Sequence, residues 1–265
     1  MYAFNYHRPT SVADARSLLE SAENPSILAG GMTLLPTMKL RLAEASDLID
    51  LSGIDALRGL RVDGGNVEVG AMVRHADVAA SEDVRRKIPA LAELAGMIGD
   101  AQVRNRGTIG GSLSNSDPAA DYPAAVLGLD AVIHTDQRDI AADDFFLGMF
   151  ETALEPNEII ETVRFPSPKR AAYAKFPNPA SRYAVVGVFV AETDDGVRVA
   201  VTGAGACAFR EAAMEAALAD DFSAGALDGL TVDAAEFNGD LHASPEYRAH
   251  LVGVMAKRAV KAAGG

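Results

Sequence analysis

Two short segments of the sequence combine adjacent glycines with a hydroxyl-bearing residue. The first is Ala29-Gly30-Gly31-Met32-Thr33-Leu34, and the second is Thr108-Ile109-Gly110-Gly111-Ser112. Glycine lets the backbone come close to a ligand, and successive backbone N–H groups can point at one anion. Each segment by itself is also typical of a plain turn, because glycine pairs are common there. Neither segment ends in the Gly-Lys-Ser/Thr of a Walker A loop.

The separation of the two segments indicates the kind of ligand. Gly30 and Gly110 stand 80 positions apart, so they cannot belong to one local turn. Two such segments predict one extended ligand that is gripped from two sides. A dinucleotide with its pyrophosphate fits this arrangement better than a mononucleotide does.

Polar residues follow the second glycine segment at short spacing, namely Asn115, Asp117 and Asp121. The carboxylate of Asp121 can accept a hydrogen bond from a ligand hydroxyl or a ring N–H. It can equally cap the helical turn that begins at Pro123, because Asp before Pro is a common helix start. The sequence leaves both interpretations open.

A third glycine motif, Thr202-Gly203-Ala204-Gly205-Ala206-Cys207-Ala208, matches the G-x-G-x-x-A fingerprint. A dinucleotide fold would need a helix, a second apolar strand and an acid about 20 residues further on. The segment Phe222–Leu230 makes a poor strand, and only a helical tail follows it. We therefore do not expect NAD binding at this motif.

The composition is that of a globular protein and excludes several classes of function. The 265 residues are 49% hydrophobic and 23% charged, and the net charge of −13 disfavours binding to nucleic acid. Cys207 is the single cysteine, so the chain forms no internal disulfide. One cysteine also cannot build an iron–sulfur cluster, which takes about four thiolates. The five histidines lack metal-ligand spacing, so no metal site is expected and an electron carrier here would be organic.

No stretch approaches the ~18 apolar residues of a membrane span, and the N-terminus has no apolar signal core. We therefore expect a cytoplasmic protein. The secondary-structure pattern is mixed, with short strands, hairpins and helices instead of a regular βαβ series, which predicts an α+β fold. Two prolines at Pro166-Ser167-Pro168 forbid regular structure and predict a boundary between residues 1–168 and 169–265.

Local signals predict the elements that position these motifs. Helices are expected over Ser11–Ala22, Pro89–Met97, Arg210–Ala219 and Ser244–Ala263, the last with Tyr247, Leu251, Val254 and Met255 on one face. Hairpins are expected around Asp63-Gly64-Gly65 and Asp194-Asp195-Gly196. A polar loop is expected over Asp100–Gly107, directly before the second glycine segment.

With these residues in view, the chain resembles the FAD-binding medium subunit of the molybdenum hydroxylase family. The stretch Ala29–Leu42 resembles that family's first flavin loop, and Thr108–Ala124 resembles its second. The tail SPEYRAHLVGVMAKRAV resembles the end of its C-terminal domain. The chain resembles in particular the carbon monoxide dehydrogenase medium chain type, also met as the separate FAD subunit of bacterial xanthine dehydrogenase-like enzymes, and the resemblance spans nearly the whole chain.

The resemblance implies a fold and a set of partners. Residues 1–168 would form a two-lobed FAD-binding domain of the vanillyl-alcohol-oxidase type, with lobes of about 1–55 and 56–168. Residues 169–265 would form a small domain with a three-stranded antiparallel sheet and helices. Such a subunit carries noncovalent FAD and takes electrons from an iron–sulfur small subunit, which a molybdopterin large subunit supplies. It passes them to quinone, NAD or oxygen, within a dimer of heterotrimers that associates with the inner face of the membrane.

The resemblance also implies cofactor contacts and no catalytic residue in this chain. Backbone N–H groups of both glycine pairs would hold the pyrophosphate, Lys175 would stabilise the anionic reduced ring, and Tyr183 would lie beside the isoalloxazine or pack in the core. Met32 departs from the polar residue common at its position. The full set of expected FAD contacts is Ala29, Gly30, Gly31, Met32, Thr33, Leu34, Thr108, Ile109, Gly110, Gly111, Ser112, Asn115, Asp117, Asp121, Lys175 and Tyr183.

Two rival functions remain open at this point. A freestanding flavin oxidoreductase of the same fold superfamily would need an acid or base over the flavin, and no compact His/Glu/Arg group in the sequence indicates one. A non-catalytic interaction module that lost FAD would not need the glycine pairs, and both are intact.

Overall fold

The computed structural model describes residues 1–265. Its first sheet is parallel and has the order β1-β3-β2, with strands β1 (Asn5–His7), β2 (Pro25–Leu28) and β3 (Asp47–Asp50). Helices α1 (Val12–Ser21) and α2 (Leu34–Lys39) connect these strands. The Ser11 hydroxyl accepts a hydrogen bond from the Asp14 N–H and fixes the start of α1, as its sequence predicts.

The second sheet is antiparallel and has the order β4-β5-β10-β6-β7. Its strands are β4 (Leu60–Asp63), β5 (Asn66–Gly70), β6 (Val132–Thr135), β7 (Asp139–Ala141) and β10 (Ile160–Pro166). Between β5 and β6 lie α3 (His75–Ala80), α4 (Glu82–Lys87), α5 (Pro89–Met97), α6 (Ala101–Arg106), α7 (Ile109–Asn115) and α8 (Tyr122–Gly128). A short helix and a small hairpin precede β10, namely α9 (Ala142–Phe145), β8 (Phe146–Gly148) and β9 (Glu151–Thr152).

The third sheet is antiparallel and C-terminal, with three long strands and a two-residue strand at its edge. These are β11 (Arg170–Pro177), β12 (Ala184–Thr193), β13 (Gly196–Thr202) and β14 (Phe209–Arg210), in that order. The three-stranded sheet implied by the resemblance is thus present, and β14 extends it. Helices α10 (Ala212–Asp220) and α11 (Pro245–Ala262) pack on this sheet.

Helix α11 begins where its sequence predicts, because Ser244 accepts a hydrogen bond from the Tyr247 N–H and Pro245 takes the first position. Leu251 and Met255 are buried against the sheet. Tyr247 was expected on the same face, but 42% of it is exposed.

The helices differ from the sequence-based expectations at three places. Residues expected as a polar loop form α6, because the Asp100 carboxylate caps it by accepting from the Val103 N–H. The second glycine pair lies in α7, which Thr108 caps in the same way. In addition, the helix expected from Arg210 begins at Ala212, because Phe209–Arg210 pairs with β13.

One apolar core joins the N-terminal and C-terminal parts of the chain. A cluster of 34 buried residues runs from β5 through α5 and α8 and includes Phe189 and Ala191 of β12. The Arg198 guanidinium of β13 adds a polar link, donating to the Leu127 carbonyl at 3.0 Å and pairing with Asp143 at 2.7 Å. The predicted boundary lies in the link between β10 and β11, and the division into domains stays a prediction. No helix is both long enough and apolar enough to cross a bilayer.

Candidate functional site

A cleft of about 510 Å³ lies between the first glycine segment, the start of α7 and the turn that joins β11 to β12. This volume is within the usual range for sites of small molecules and cofactors. Every residue predicted to contact FAD lines the cleft except Ile109 and Lys175. Ile109 is fully buried beneath the wall. The structure thus brings residues from distant parts of the sequence to one cleft, and their contact with FAD stays a prediction.

The first glycine segment presents a run of free backbone donors to the cleft. The N–H groups of Gly30, Gly31, Met32 and Thr33 make no hydrogen bond within the chain. Gly31 has φ +76°, a left-handed conformation that side chains disfavour. Consecutive free N–H groups of this kind form a concave anion site. The segment is thus suited to a pyrophosphate and is not merely a turn.

The first glycine segment packs closely against residues 106–111, because Gly30 and Gly111 carry no side chain. A β-carbon on Gly30 would overlap the carbonyl oxygen of Arg106 and would lie 2.7 Å from the Gly107 Cα. A β-carbon on Gly111 would lie 3.3 Å from that of Ala29. Glycine is therefore required at position 30 for this close approach, and a side chain at position 111 would crowd the same wall.

The second glycine segment does not supply the backbone donors that the sequence led us to expect. The Gly110 N–H donates to the Ala71 carbonyl at 2.9 Å, and the Gly111 N–H is directed to the Thr108 hydroxyl at 3.3 Å. The expectation that this pair holds a pyrophosphate through its N–H groups is therefore wrong. Gly110 serves packing instead, because a β-carbon there would lie 2.6 Å from the Ala71 β-carbon. Ser112 of this segment and Asn115 just after it line the cleft and carry polar side chains.

Asp121 lies in the cleft wall and is held from behind by two buried partners. Its carboxylate pairs with the Lys175 ammonium at 2.8 Å and accepts from the Tyr173 hydroxyl at 2.5 Å. Burial raises the pKa of Asp121, and the charge and hydrogen bond of Lys175 and the Tyr173 hydroxyl oppose that rise. Asp121 precedes α8 but its side chain caps nothing, which favours the acceptor interpretation over the capping one.

Lys175 does not line the cleft, contrary to the expectation that it touches the flavin directly. Its side chain is only 3% exposed, and the ammonium is shared between Asp121 and the Met97 carbonyl. The charged group that faces the ligand space is the carboxylate. Lys175 therefore affects a ligand in the cleft indirectly, by pairing with the Asp121 carboxylate.

Tyr183 stands at the rim of the cleft with 44% of its surface exposed, so it does not pack in the core. Burial of its hydroxyl end raises the pKa of Tyr183, and Asp117 and Asp121 add to this rise. A ring in this place is free to lie against a planar ligand.

The third glycine motif forms hydrogen bonds to the part of the cleft wall at residues 118–120, and this is its structural role. The Thr202 hydroxyl lies 2.6 Å from the Ala120 carbonyl oxygen, and the Gly203 N–H donates to the Pro118 carbonyl at 2.8 Å. These bonds fix the segment that carries Asp117 and Asp121.

The ionisable residues of the wall that were not predicted from the sequence include Glu158 and His75. Burial of Glu158 tends to raise its pKa, but hydrogen bonds from Arg138, from the Thr135 hydroxyl and from the Glu155 N–H outweigh this and lower it to about 2. His75 lies under Gly107, and its Nδ1 is buried without a hydrogen-bond partner. Neither residue belongs to a recognisable pattern, so the sequence contains no signal for them.

His75 is expected to make the folded chain sensitive to acid. Burial, with a smaller contribution from Arg104, lowers its pKa from 6.5 to about 4. Between about pH 6.5 and pH 4 the unfolded chain therefore binds a proton at His75 that the folded chain does not bind. The free energy of unfolding falls as the pH falls through this range. Urea unfolding of His75→Gln between about pH 7 and pH 4.5 should give a flatter dependence than the native chain. The exposed His242→Gln serves as the control, and a native-like slope in His75→Gln would contradict the assignment.

The cleft and its row of free N–H groups are the features that a dinucleotide-binding protein requires. Comparison with known families identifies the class more closely. Residues 2–168 match the family described as the FAD binding domain in molybdopterin dehydrogenase. The chain belongs to this family, and the resemblance stated from its sequence is confirmed.

Relatives cover the chain almost completely. The chain is 37% identical to the carbon monoxide dehydrogenase medium chain of Hydrogenophaga pseudoflava, over 98% of this chain and 96% of that one. It is 35% identical to the nicotine 6-hydroxylase medium subunit of Paenarthrobacter nicotinovorans, over 99% and 98%. Among solved structures, a carbon monoxide dehydrogenase from Hydrogenophaga pseudoflava superposes with a TM-score of 0.90, at 37% identity and with 99% and 97% coverage. The expected α+β fold class is thereby confirmed.

Proposed function

We propose that this chain is the FAD-carrying electron-transfer subunit of a molybdenum-dependent hydroxylase or dehydrogenase. The observation that carries the proposal is the row of free N–H groups over residues 30–33, placed inside a cleft that nearly all expected FAD contacts line. These residues fit FAD in chemistry. Backbone N–H donors suit the pyrophosphate of FAD, and the glycines have no side chain that would keep the backbone away from it.

The residues of this chain bind and orient the cofactor, and none of them performs a hydroxylation. Residues 29–34 hold the pyrophosphate, while Ser112 and Asn115 contribute side-chain hydrogen bonds on the opposite wall. Asp121 accepts a hydrogen bond from the ligand at the end of the cleft that Tyr183 covers. Bound FAD supplies the electron-transfer chemistry that no side chain here can supply.

The chain must receive its electrons from another protein. Cys207 alone cannot hold an iron–sulfur cluster, and the relatives are named medium chains or medium subunits. We therefore propose an iron–sulfur small subunit and a molybdopterin large subunit as partners, in a dimer of heterotrimers. The external acceptor is proposed as quinone, NAD or oxygen. The complex would be cytoplasmic and associated with the inner face of the membrane.

We also propose that residues 1–168 form the FAD-binding domain and residues 169–265 the C-terminal domain. Within the first, lobes of about 1–55 and 56–168 correspond to the parallel and the antiparallel sheet. In this arrangement the cleft lies between the lobes, and the C-terminal domain supplies Tyr183 and Lys175.

Purification of the recombinant chain is expected to yield a yellow protein with one extractable FAD per chain. FAD is released by acid and quantified by its absorption, and the apoprotein is then titrated with FAD. A colourless protein that cannot be reconstituted would contradict the proposal and favour an interaction module. Turnover of an organic donor by the isolated chain would favour a freestanding oxidoreductase instead.

A further inference from the structure

Three buried polar groups meet behind one end of the cleft, and only one of them reaches its wall. The side chains of Lys175 and Asp121 are 3% and 4% exposed, and Tyr173 is 5% exposed. Each oxygen of the Asp121 carboxylate has its own partner, since Tyr173 bonds to Oδ1 and Lys175 bonds to Oδ2. The carboxylate therefore has a fixed orientation.

The C-terminal sheet is built to hold this arrangement. Tyr173 and Lys175 are two residues apart on β11, so both side chains point to the same face of the sheet. Gly187 lies opposite Lys175 in the register with β12, and a β-carbon there would overlap the Tyr173 hydroxyl oxygen. A glycine in the middle of a central strand weakens that strand. Its effect here is to leave room for a hydroxyl that supports Asp121.

The charges of Lys175 and Asp121 nearly cancel each other at the position of a ligand in the cleft. An ammonium and a carboxylate at 2.8 Å form a dipole whose negative end faces the ligand space. A carboxylate oxygen has more than one acceptor position, so Asp121 can bond to a ligand N–H or O–H while it keeps both partners. Removal of either charge would leave the other unopposed in a buried place, where electrostatic effects are large.

We infer that Tyr173 and Lys175 are positioning residues that hold Asp121 as an oriented acceptor for the flavin, and that the cancelled charge of the Asp121–Lys175 pair sets the reduction potential of the bound cofactor. This inference rests on the proposed function. It assigns Tyr173 a role in the site, although this residue does not line the cleft.

The test compares the two-electron midpoint potential of bound FAD in charge variants at pH 8. Asp121→Asn leaves the ammonium unopposed and should favour the added negative charge of reduction, raising the potential by at least a tenfold change in the equilibrium, about 30 mV. Lys175→Met leaves the carboxylate unopposed and should lower the potential by a similar amount. The double variant restores neutrality and should return close to the native potential.

Two exposed residues at the ends of strands in the same sheet provide the matched control. Lys169 and Asp194 form a pair at 3.5 Å with side chains 55% and 92% exposed. Lys169→Met, Asp194→Asn and their double variant make the same changes in charge and should leave the potential unchanged. Thermal unfolding of every variant reports whether the fold is retained.

Tyr173→Phe keeps every charge and supplies a second measurement. Loss of one hydrogen bond to a charged group should weaken FAD binding about tenfold, as measured by fluorescence titration of the apoprotein. The exposed Tyr247→Phe should bind FAD like the native chain. Unchanged FAD affinity in Tyr173→Phe would overturn the role of Tyr173.

The outcomes separate the inference from the proposed function. If the native chain binds no FAD, the proposed function fails. If the native chain binds FAD and the two single-charge variants shift the potential in the same direction or not at all, only the inference fails.

Discussion

Replacement of Gly30 by valine is expected to abolish FAD binding, with the dissociation constant rising at least a hundredfold. A β-carbon at this position would overlap the Arg106 carbonyl oxygen, which is backbone and cannot swing aside as a flexible side chain can. The two glycine segments would separate, and the free N–H groups beside Gly30 would no longer point at one anion. A hundredfold loss corresponds to about 2.7 kcal/mol, which is the strength of one or two hydrogen bonds to a charged group.

FAD titration of refolded apoprotein measures this effect, and Gly59→Val is the control. Gly59 has φ −67° and ψ 137° with no neighbour within 4 Å of an added β-carbon, so valine fits there without strain. Native FAD affinity in Gly30→Val would refute the assignment of this segment to the pyrophosphate. Circular dichroism of both variants separates loss of binding from loss of fold.

Replacement of Phe189 by alanine is expected to lower the free energy of unfolding by about 3–5 kcal/mol. Phe189 is fully buried, and its ring lies 6.2 Å from that of Tyr173. It also fills the space left by Gly128 of α8, where a β-carbon would lie 2.7 Å from the Phe189 ring. One side chain thus joins an N-terminal helix to the C-terminal sheet.

Chemical denaturation with tryptophan-independent probes such as circular dichroism measures this loss, because the chain contains no tryptophan. Phe150→Ala is the control, since 59% of Phe150 is exposed. A loss below about 1 kcal/mol in Phe189→Ala would mean that the two parts of the chain do not depend on a shared core.

Helices whose capping residue and apolar periodicity both lie within the segment itself could be predicted from the sequence. Helices α1 and α11 begin directly after Ser11 and Ser244 because both serines cap the helix with their own side chains. Helices α6 and α7 could not be predicted, because polar residues and a glycine pair are locally more typical of a loop. They form because Asp100 and Thr108 cap them and because α7 packs against Ala71, a contact distant in sequence.

The sequence predicted which residues line the cleft better than it predicted which groups of those residues are free to bind a ligand. The glycine segments were assigned to one ligand, yet only the first keeps its N–H groups free. The difference arises because the carbonyls of Ala71 and Val73 accept from α7, and sequence spacing does not reveal that contact. Lys175 was likewise assigned to the flavin, although its ammonium is buried against Asp121.

The bonds from Thr202 and Gly203 to the segment 118–120 have a consequence for the order in which the protein matures. Residues 1–168 leave the ribosome first and include both glycine segments. The part of the wall that carries Asp121 lacks these hydrogen bonds until β12 and β13 have been synthesised and have folded against it. Both glycine segments are therefore synthesised early, but the end of the cleft that carries Asp121 is completed only after the chain has been synthesised as far as Gly203. The completed cleft is tied in this way to the folding of the C-terminal sheet.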